Sequence, residues 1–283
     1  MRFDYIVGKN DHLRRAGRIA VQVFHLSQHD LAVIKRENSL FADGKPIRLI
    51  DRLSAGTVLS ILMPDTFKTN GAHFPYTVYE DEAFQVIDKP AGLPTMASSN
   101  PDRITLESLY TQYCSDFRPV NRLDKGTGGL MVCAKNGYYQ HILSEQLHTD
   151  SFIREYLAVV EGRLDSDDGM INLPIAHSPD VSNLRCIDPL GKPSVTYYRR
   201  IFESKDKTLL RLRLITGRTH QIRVHLAAIG HPICGDYLYG SPVPVTSGVF
   251  ALQSAYLFLT HPITKEKLFF KSDPTPRFKQ YYE

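Results

Sequence analysis

Three glycines within four residues, Gly126, Gly128 and Gly129, separate a charged loop from an uninterrupted apolar run, Leu130-Met131-Val132-Cys133-Ala134. The run has the length and composition of a buried strand, so whatever precedes the glycines is delivered from a tight loop at a strand's edge. What precedes them is Asn121-Arg122-Leu123-Asp124-Lys125, an aspartate between two cations. A glycine-rich loop that cradles a dinucleotide opens a helix; this one opens a strand, which excludes that reading. Asp-Lys-Gly is also an ordinary turn signal, in which the aspartate bonds only its own backbone. The loop alone leaves both roles for Asp124 open.

A second stretch is as informative. Leu210, Leu212 and Leu214 alternate with Arg211 and Arg213, which predicts a strand with one buried and one basic face. Thr216-Gly217-Arg218-Thr219 breaks it, and Ile222, Leu226 and Ile229 then recur at helical spacing until Gly230 and Pro232. Such a corner sets Arg218 beside the amides of a helix start, where anions bind. His220 and His225, five residues apart on that helix, point about 140° away from each other and cannot share a metal by themselves. The chain has no His-Glu-x-x-His, no phosphate loop ending in Gly-Lys-Ser/Thr, and no Gly-x-Gly-x-x-Gly between strand and helix. Neither a catalytic metal nor a nucleotide cofactor is expected.

With 283 residues, 42% hydrophobic and 23% charged, the chain can bury one large core and a small second one. No stretch approaches ~18 uninterrupted apolar residues, and Met1-Arg2-Phe3-Asp4-Tyr5 does not open a secretory signal. Cys114, Cys133, Cys186 and Cys234 lie far apart, which argues against a zinc knuckle or a disulfide framework and suits a reducing cytoplasm. The net charge of +4 is unevenly placed: residues 1–70 hold eleven Lys plus Arg against seven Asp plus Glu, and the remainder holds twenty-three of each. A small basic module on a neutral body points to a polyanion, most simply nucleic acid, although a surplus of four is also an ordinary solvated surface.

Within that module, residues 1–20 carry His12, Arg14, Arg15 and Arg18 but no readable secondary structure. Ser27 and Asp30 form a capping box for a short helix with Leu31 and Ile34 on its apolar side and Lys35 and Arg36 at its end. Asp43-Gly44 signals a hairpin, and Thr57–Leu62 a further strand. Residues 64–75, with Pro64, Gly71 and Pro75, read as a linker. Strands follow around Thr77–Tyr79 and Phe84–Ile87, then a stiff Pro90-Ala91-Gly92-Leu93-Pro94 loop able to wall a pocket, helices over 103–113 and 136–148, and a strand over Ser151–Gly162 that carries Tyr156.

The capped basic helix, the Asp-Gly-Lys-Pro hairpin and Leu53-Ser54-Ala55-Gly56-Thr57-Val58 resemble the alpha-L RNA-binding module. Residues 77–262 resemble the RluA family of pseudouridine synthases, which turn uridine in RNA into its carbon-linked isomer. The resemblance is carried by Asp88-Lys89-Pro90-Ala91-Gly92-Leu93-Pro94, Asn121-Arg122-Leu123-Asp124 with Thr127-Gly128-Gly129, Arg154-Glu155-Tyr156-Leu157-Ala158, Thr216-Gly217-Arg218-Thr219-His220-Gln221-Ile222-Arg223-Val224-His225, and Gly235-Asp236-Tyr237-Leu238-Tyr239-Gly240. It implies an α+β fold: a long, mainly antiparallel mixed sheet with a central cleft (76–283), preceded by a small α/β module (1–65).

It also implies a site. Asp124 is the essential carboxylate, Tyr156 lies against the target base and Arg218 pairs with Asp124, holding it ionised; Arg122, Thr127, Arg154, Ile222 and Arg223 bind substrate. Asp124 would attack the sugar or base, or remove a sugar proton. Arg122 would fill the stack vacated by a flipped uridine. The implied partner is structured RNA, ribosomal or transfer, and neither DNA nor a membrane; a cytoplasmic monomer without a cofactor is expected. The family usually has His at 121, Ser at 128, Lys at 154 and His at 253, where this chain has Asn121, Gly128, Arg154 and Gln253. The alternative is an RNA-binding protein whose active site has decayed.

Overall fold

The computed structural model describes residues 2–62, 69–97, 104–179, 181, 184–242, 249–274 and 278–281. In the N-terminal quarter, β1 (Arg2–Ile6), β3 (Leu40–Ala42), β4 (Lys45–Pro46) and β6 (Val58–Leu62) form an antiparallel sheet in the order β1-β6-β3-β4, while β2 (Arg14–Arg15) pairs with β5 (Arg52–Leu53). Asp43 and Gly44 both take positive φ, 48° and 78°, which is the backbone a two-residue hairpin needs to match strand twist. Helix α1 (Ala16–Phe24) occupies the stretch whose sequence showed no pattern, and it buries Ile19, Ala20 and Phe24. Helix α2 (Gln28–Arg36) starts at the expected capping box: the Asp30 amide donates to Ser27 Oγ at 3.1 Å and the Ser27 amide to Asp30 Oδ2 at 2.9 Å.

This module packs on the rest of the chain through specific contacts. Asp30 also pairs with Arg118 at 3.2 Å with both side chains nearly buried. Phe3 sits 4.3 Å from Tyr138, and the rings of His25 and His141 stack at 3.6 Å. Of the expected linker, residues 64–68 lie outside the described residues, and the rest belongs to the body. Phe74 is buried against Tyr110 and Tyr113, and Thr69 bridges to Cys114. One apolar ring outweighs the prolines and glycine around it.

The body contains β7 (Thr77–Glu80), β8 (Phe84–Lys89), α3 (Leu106–Tyr110), β9 (Gly128–Ala134), α4 (Gly137–Gln146), β10 (Phe152–Glu161), β11 (Asp168–Asn172), β12 (Ile175–His177), β13 (Arg185–Ile187), β14 (Val195–Glu203), β15 (Lys207–Leu214), α5 (Gln221–Ala228), β16 (Leu252–Thr260) and β17 (Lys267–Lys271). Nine of these strands make one sheet, β11-β14-β15-β10-β16-β9-β8-β7, with β17 beside β16. Every pairing is antiparallel except β16 with β9, so the sheet is mixed and mainly antiparallel, as the sequence implies. Of the helix expected over 103–113, residue 103 lies outside the described residues; α3 runs Leu106–Tyr110, its start set by the capping box of Thr105 with Ser108. Asn136 caps α4. Among the described residues no helix is long and apolar enough to cross a membrane.

Two irregularities shape the middle of the sheet. Gly129 has φ of 108°, and a Cβ there would lie 2.2 Å from the Ser254 carbonyl oxygen, so only glycine lets β9 approach β16. On β16 the register against β10 slips by one residue: Glu155 faces Tyr256 but Tyr156 faces Ser254, leaving Ala255 as the extra residue. The register of β10 against β15 continues unbroken from Glu155 to Glu161, so Arg154 and Tyr156 project from the same face.

Candidate active site

Asp124 occupies the turn that feeds β9, and the Thr127 amide donates to its carbonyl at 3.1 Å. The stiff loop after β8 grips this turn from both sides. The Gly92 amide donates to Lys125 O at 2.7 Å, and Thr95 Oγ1 to Leu123 O at 2.7 Å. That loop is tied in turn by buried Lys89, whose ammonium donates to Pro90 O at 2.9 Å and Leu93 O at 2.7 Å. Thr127 is buried beneath the turn. The carboxylate stays 27% exposed and faces the Arg223 guanidinium and the His220 imidazole.

Its partner is Arg223 on α5, whose Nη1 donates to Asp124 Oδ2 at 3.3 Å. Arg223 is itself held rigidly. Nε and Nη2 donate to the two oxygens of buried Asp236 at 2.6 and 2.9 Å, and the guanidinium lies 4.8 Å from the Tyr239 ring and 4.6 Å from Phe250. Burial works against the charge, but the hydrogen bonds and charge of Asp236, with Asp124 adding to them, raise the Arg223 pKa. The guanidinium is therefore locked in its charged form with one edge left for Asp124.

The expected pairing of Arg218 with Asp124 is not what the structure has. Arg218 is exposed, and its Nε donates to Pro193 O at 3.3 Å. It belongs to the turn before α5, where the side chain faces outward; residue 223 lies more than one helical turn further on, on the side of α5 that faces Asp124, Asp236 and Tyr239. Arg223, expected among the substrate-binding residues, takes the place expected of Arg218.

His220 completes the acid's surroundings. It stands at the start of α5 in the left-handed conformation, φ 59°, with Nε2 at 3.9 Å from Asp124 Oδ2 and Nδ1 at 2.9 Å from the Tyr239 hydroxyl. That hydroxyl accepts from the Arg185 amide at 3.0 Å, so its own proton can go to Nδ1, which puts the imidazole proton on Nε2, facing Asp124. Burial, the leading cause, lowers the His220 pKa and keeps the ring neutral. His225 points elsewhere, to Thr196 Oγ1 at 2.9 Å and Leu173 O at 3.0 Å.

Tyr156 is buried beside this group. Burial raises its pKa, the charge of Arg154 and a hydrogen bond with Ser254 lower it, and the charge of Asp124 raises it again. Its hydroxyl therefore stays protonated, within the electrostatic reach of both Asp124 and Arg154. Ile222 is buried next to Arg223 on α5. Arg122 is exposed, and among the described residues it has no hydrogen bond or ion pair that would hold it. Sequence reasoning missed His220, Asp236 and Tyr239 as members of the site. Asp236 and Tyr239 did lie in a stretch that carried the resemblance, but no spacing rule links them to Arg223.

Residues 83–228, just over half of the chain, match the family described as RNA pseudouridylate synthase. The chain is 36% identical over 206 residues to the uncharacterized RNA pseudouridine synthase YjbO of Bacillus subtilis (strain 168), covering 71% of this chain and 72% of that one. It is 38% identical over 208 residues to ribosomal large subunit pseudouridine synthase D of Haemophilus ducreyi, covering 67% of this chain and 64% of that protein, just under two thirds of its length. Among solved structures, Human RNA Pseudouridylate Synthase Domain Containing 1 superposes with a TM-score of 0.57 at 24% identity, covering 72% of this chain and 86% of that one; it supports the fold.

Proposed function

The chain belongs to the RNA pseudouridylate synthase family, and from that premise we propose that it isomerises a uridine of structured RNA to pseudouridine with Asp124 as the essential carboxylate. The observation that carries the site assignment is the Asp124–Arg223–Asp236 relay, in which a buried, doubly anchored guanidinium faces a partly exposed acid. The reaction breaks a glycosidic bond, turns the freed uracil and rejoins it through carbon 5. Attack by the acid and removal of a sugar proton both use its carboxylate, which Arg223 Nη1 orients by a hydrogen bond at 3.3 Å. Tyr156 stacks on the base, and its hydroxyl relays the carbon 5 proton to water, taking that proton on oxygen as its own leaves. Exposed, unheld Arg122 fills the gap left by the flipped nucleotide.

Relatives named for the ribosomal large subunit support large-subunit rRNA as the substrate to try first. In this reading the chain acts as a cytoplasmic monomer. Against a decayed site stands the completeness of the relay: every charged member has its partner. The test is tritium release from RNA labelled at carbon 5 of uridine. Asp124→Ala should abolish release while retaining RNA affinity; undiminished release would reject the assignment.

The basic module serves as an RNA contact through exposed Arg15 and Arg18. Arg15→Glu with Arg18→Glu should weaken RNA binding and lower the slope of log affinity against log salt by roughly 1–2. An unchanged slope would remove the module from the RNA interface.

A further inference from the structure

Arg154 is 9% exposed, projects from β10 on the same face as Tyr156, and has no hydrogen bond or ion pair among the described residues. Its Nε is fully buried without a partner. A guanidinium cannot shed its proton to escape such a site, so it stays charged. The acids nearest in the sheet are committed elsewhere: Glu155, on the opposite face, pairs with Arg211, and Asp150 with Arg213. Asp124 is engaged by Arg223 and His220. A buried cation without a counter-charge is costly, and an arrangement of this kind is stable in function only if a ligand supplies the anion.

The location indicates which ligand. The guanidinium lies under the exposed turn that opens α5: a Cβ at Gly217 would stand 3.2 Å from Arg154 Nη1 and 3.6 Å from Nη2. Glycine there leaves the main chain thin, so an anion arriving from solvent meets the guanidinium beside the turn. Helix α5 starts at this turn with no side-chain cap on its first amides, a field of the same sign.

Resting on the synthase reading above, we propose that Arg154 is the buried anchor for a backbone phosphate of the RNA, fixing the flipped nucleotide so that its base falls against Tyr156. A phosphate offers the planar fork of arginine two oxygens at once. The uncharged uracil carbonyls would leave the charge unbalanced.

The test uses the full chain and an end-labelled transcript of large-subunit rRNA, with binding followed by anisotropy across a salt series. Arg154→Met should bind about tenfold to a hundredfold more weakly at low salt. It should also reduce the steepness of log affinity against log salt by roughly 0.7–0.9. Arg154→Lys, which keeps the charge, should restore most of that slope. Without RNA, Arg154→Met should melt no lower than the wild type, because it removes an unbalanced charge. An unchanged salt slope, or a lower melting temperature with an unchanged slope, would overturn the proposal and make Arg154 a structural residue. Tritium release by the wild type on the same transcript is the control for the underlying reading. If the wild type is inactive there, large-subunit rRNA fails as its substrate, and the salt slope of Arg154→Met still decides this proposal.

Discussion

Asp236 and Asp124 both touch Arg223, and the structure separates what each contact does. Asp236 accepts two hydrogen bonds, at 2.6 and 2.9 Å, and its side chain is 1% exposed; Asp124 accepts one, at 3.3 Å, and is 27% exposed. Asp236→Ala therefore leaves a buried guanidinium with only a half-solvated partner, and breaking such a pair costs about 3–5 kcal/mol. For a chain of 283 residues that lowers the melting temperature by roughly 5–8 °C. Asp124→Ala leaves Arg223 paired and removes a part-exposed acid, so the loss should stay below about 1 kcal/mol. Both variants should lose turnover, the first because the guanidinium is no longer aimed and the second because the acid is gone. Urea unfolding followed by far-UV circular dichroism reads the stabilities, and tritium release reads the chemistry. The double variant Arg223→Met with Asp236→Leu, which replaces the pair by apolar groups, should regain much of the stability and none of the activity. Equal destabilisation by Asp124→Ala and Asp236→Ala, or full activity in Asp236→Ala, would refute the division of roles.

Gly129→Ala forces a Cβ to within 2.2 Å of the Ser254 carbonyl at a φ of 108°, and a loss of about 3 kcal/mol or more is expected in the same unfolding assay; a change near zero would mean that β9 and β16 can separate. Tyr156→Phe keeps the buried ring and removes the hydroxyl, so stability should move by no more than about 1 kcal/mol while tritium release falls at least about tenfold. Undiminished release would take the hydroxyl out of the proton step. His141, His220 and His225 all have pKa values lowered from the ordinary 6.5, burial being the leading cause in each. The unfolded chain thus binds more protons just below pH 6.5, and the stability these histidines allow is complete above that value and lost as pH falls through their folded pKa values. Urea midpoints should drop as pH falls below about 6.5, and a flat profile there would count against all three assignments.

What could be read in advance was whatever short-range physics decides. The Ser27–Asp30 box, the Asp43-Gly44 hairpin and the buried run after Gly129 are each set by residues within a few positions, and each is found where expected. Helix α1 escaped notice because its start has no capping side chain and its basic residues mask the apolar spacing of Ile19 and Phe24. Phe74 was read as linker because its partners, Tyr110 and Tyr113, lie more than thirty residues away. Gly129 was read as part of a turn, whereas its own need for glycine comes from a strand more than a hundred residues downstream.

The site divides along the same line. Asp124 and Tyr156 are placed by the loop and strand that hold them, but the cation that meets Asp124 is selected by the azimuth of α5, and a helix rotates by about 100° per residue. The residue that faces the acid is the one whose other edge finds Asp236 and whose flat faces find Tyr239 and Phe250. Arg218 lies before the helix begins, and among the described residues its side chain has only the Pro193 carbonyl to hold it. Between two arginines in one stretch, the one with buried anchors stays aimed at a fixed point. The other, on an exposed turn, remains free to follow a flexible ligand. If Arg223→Lys preserved turnover while Arg218→Ala abolished it, that ordering would be reversed, and rigid anchoring would not be the criterion by which a charge-holding arginine is recognised.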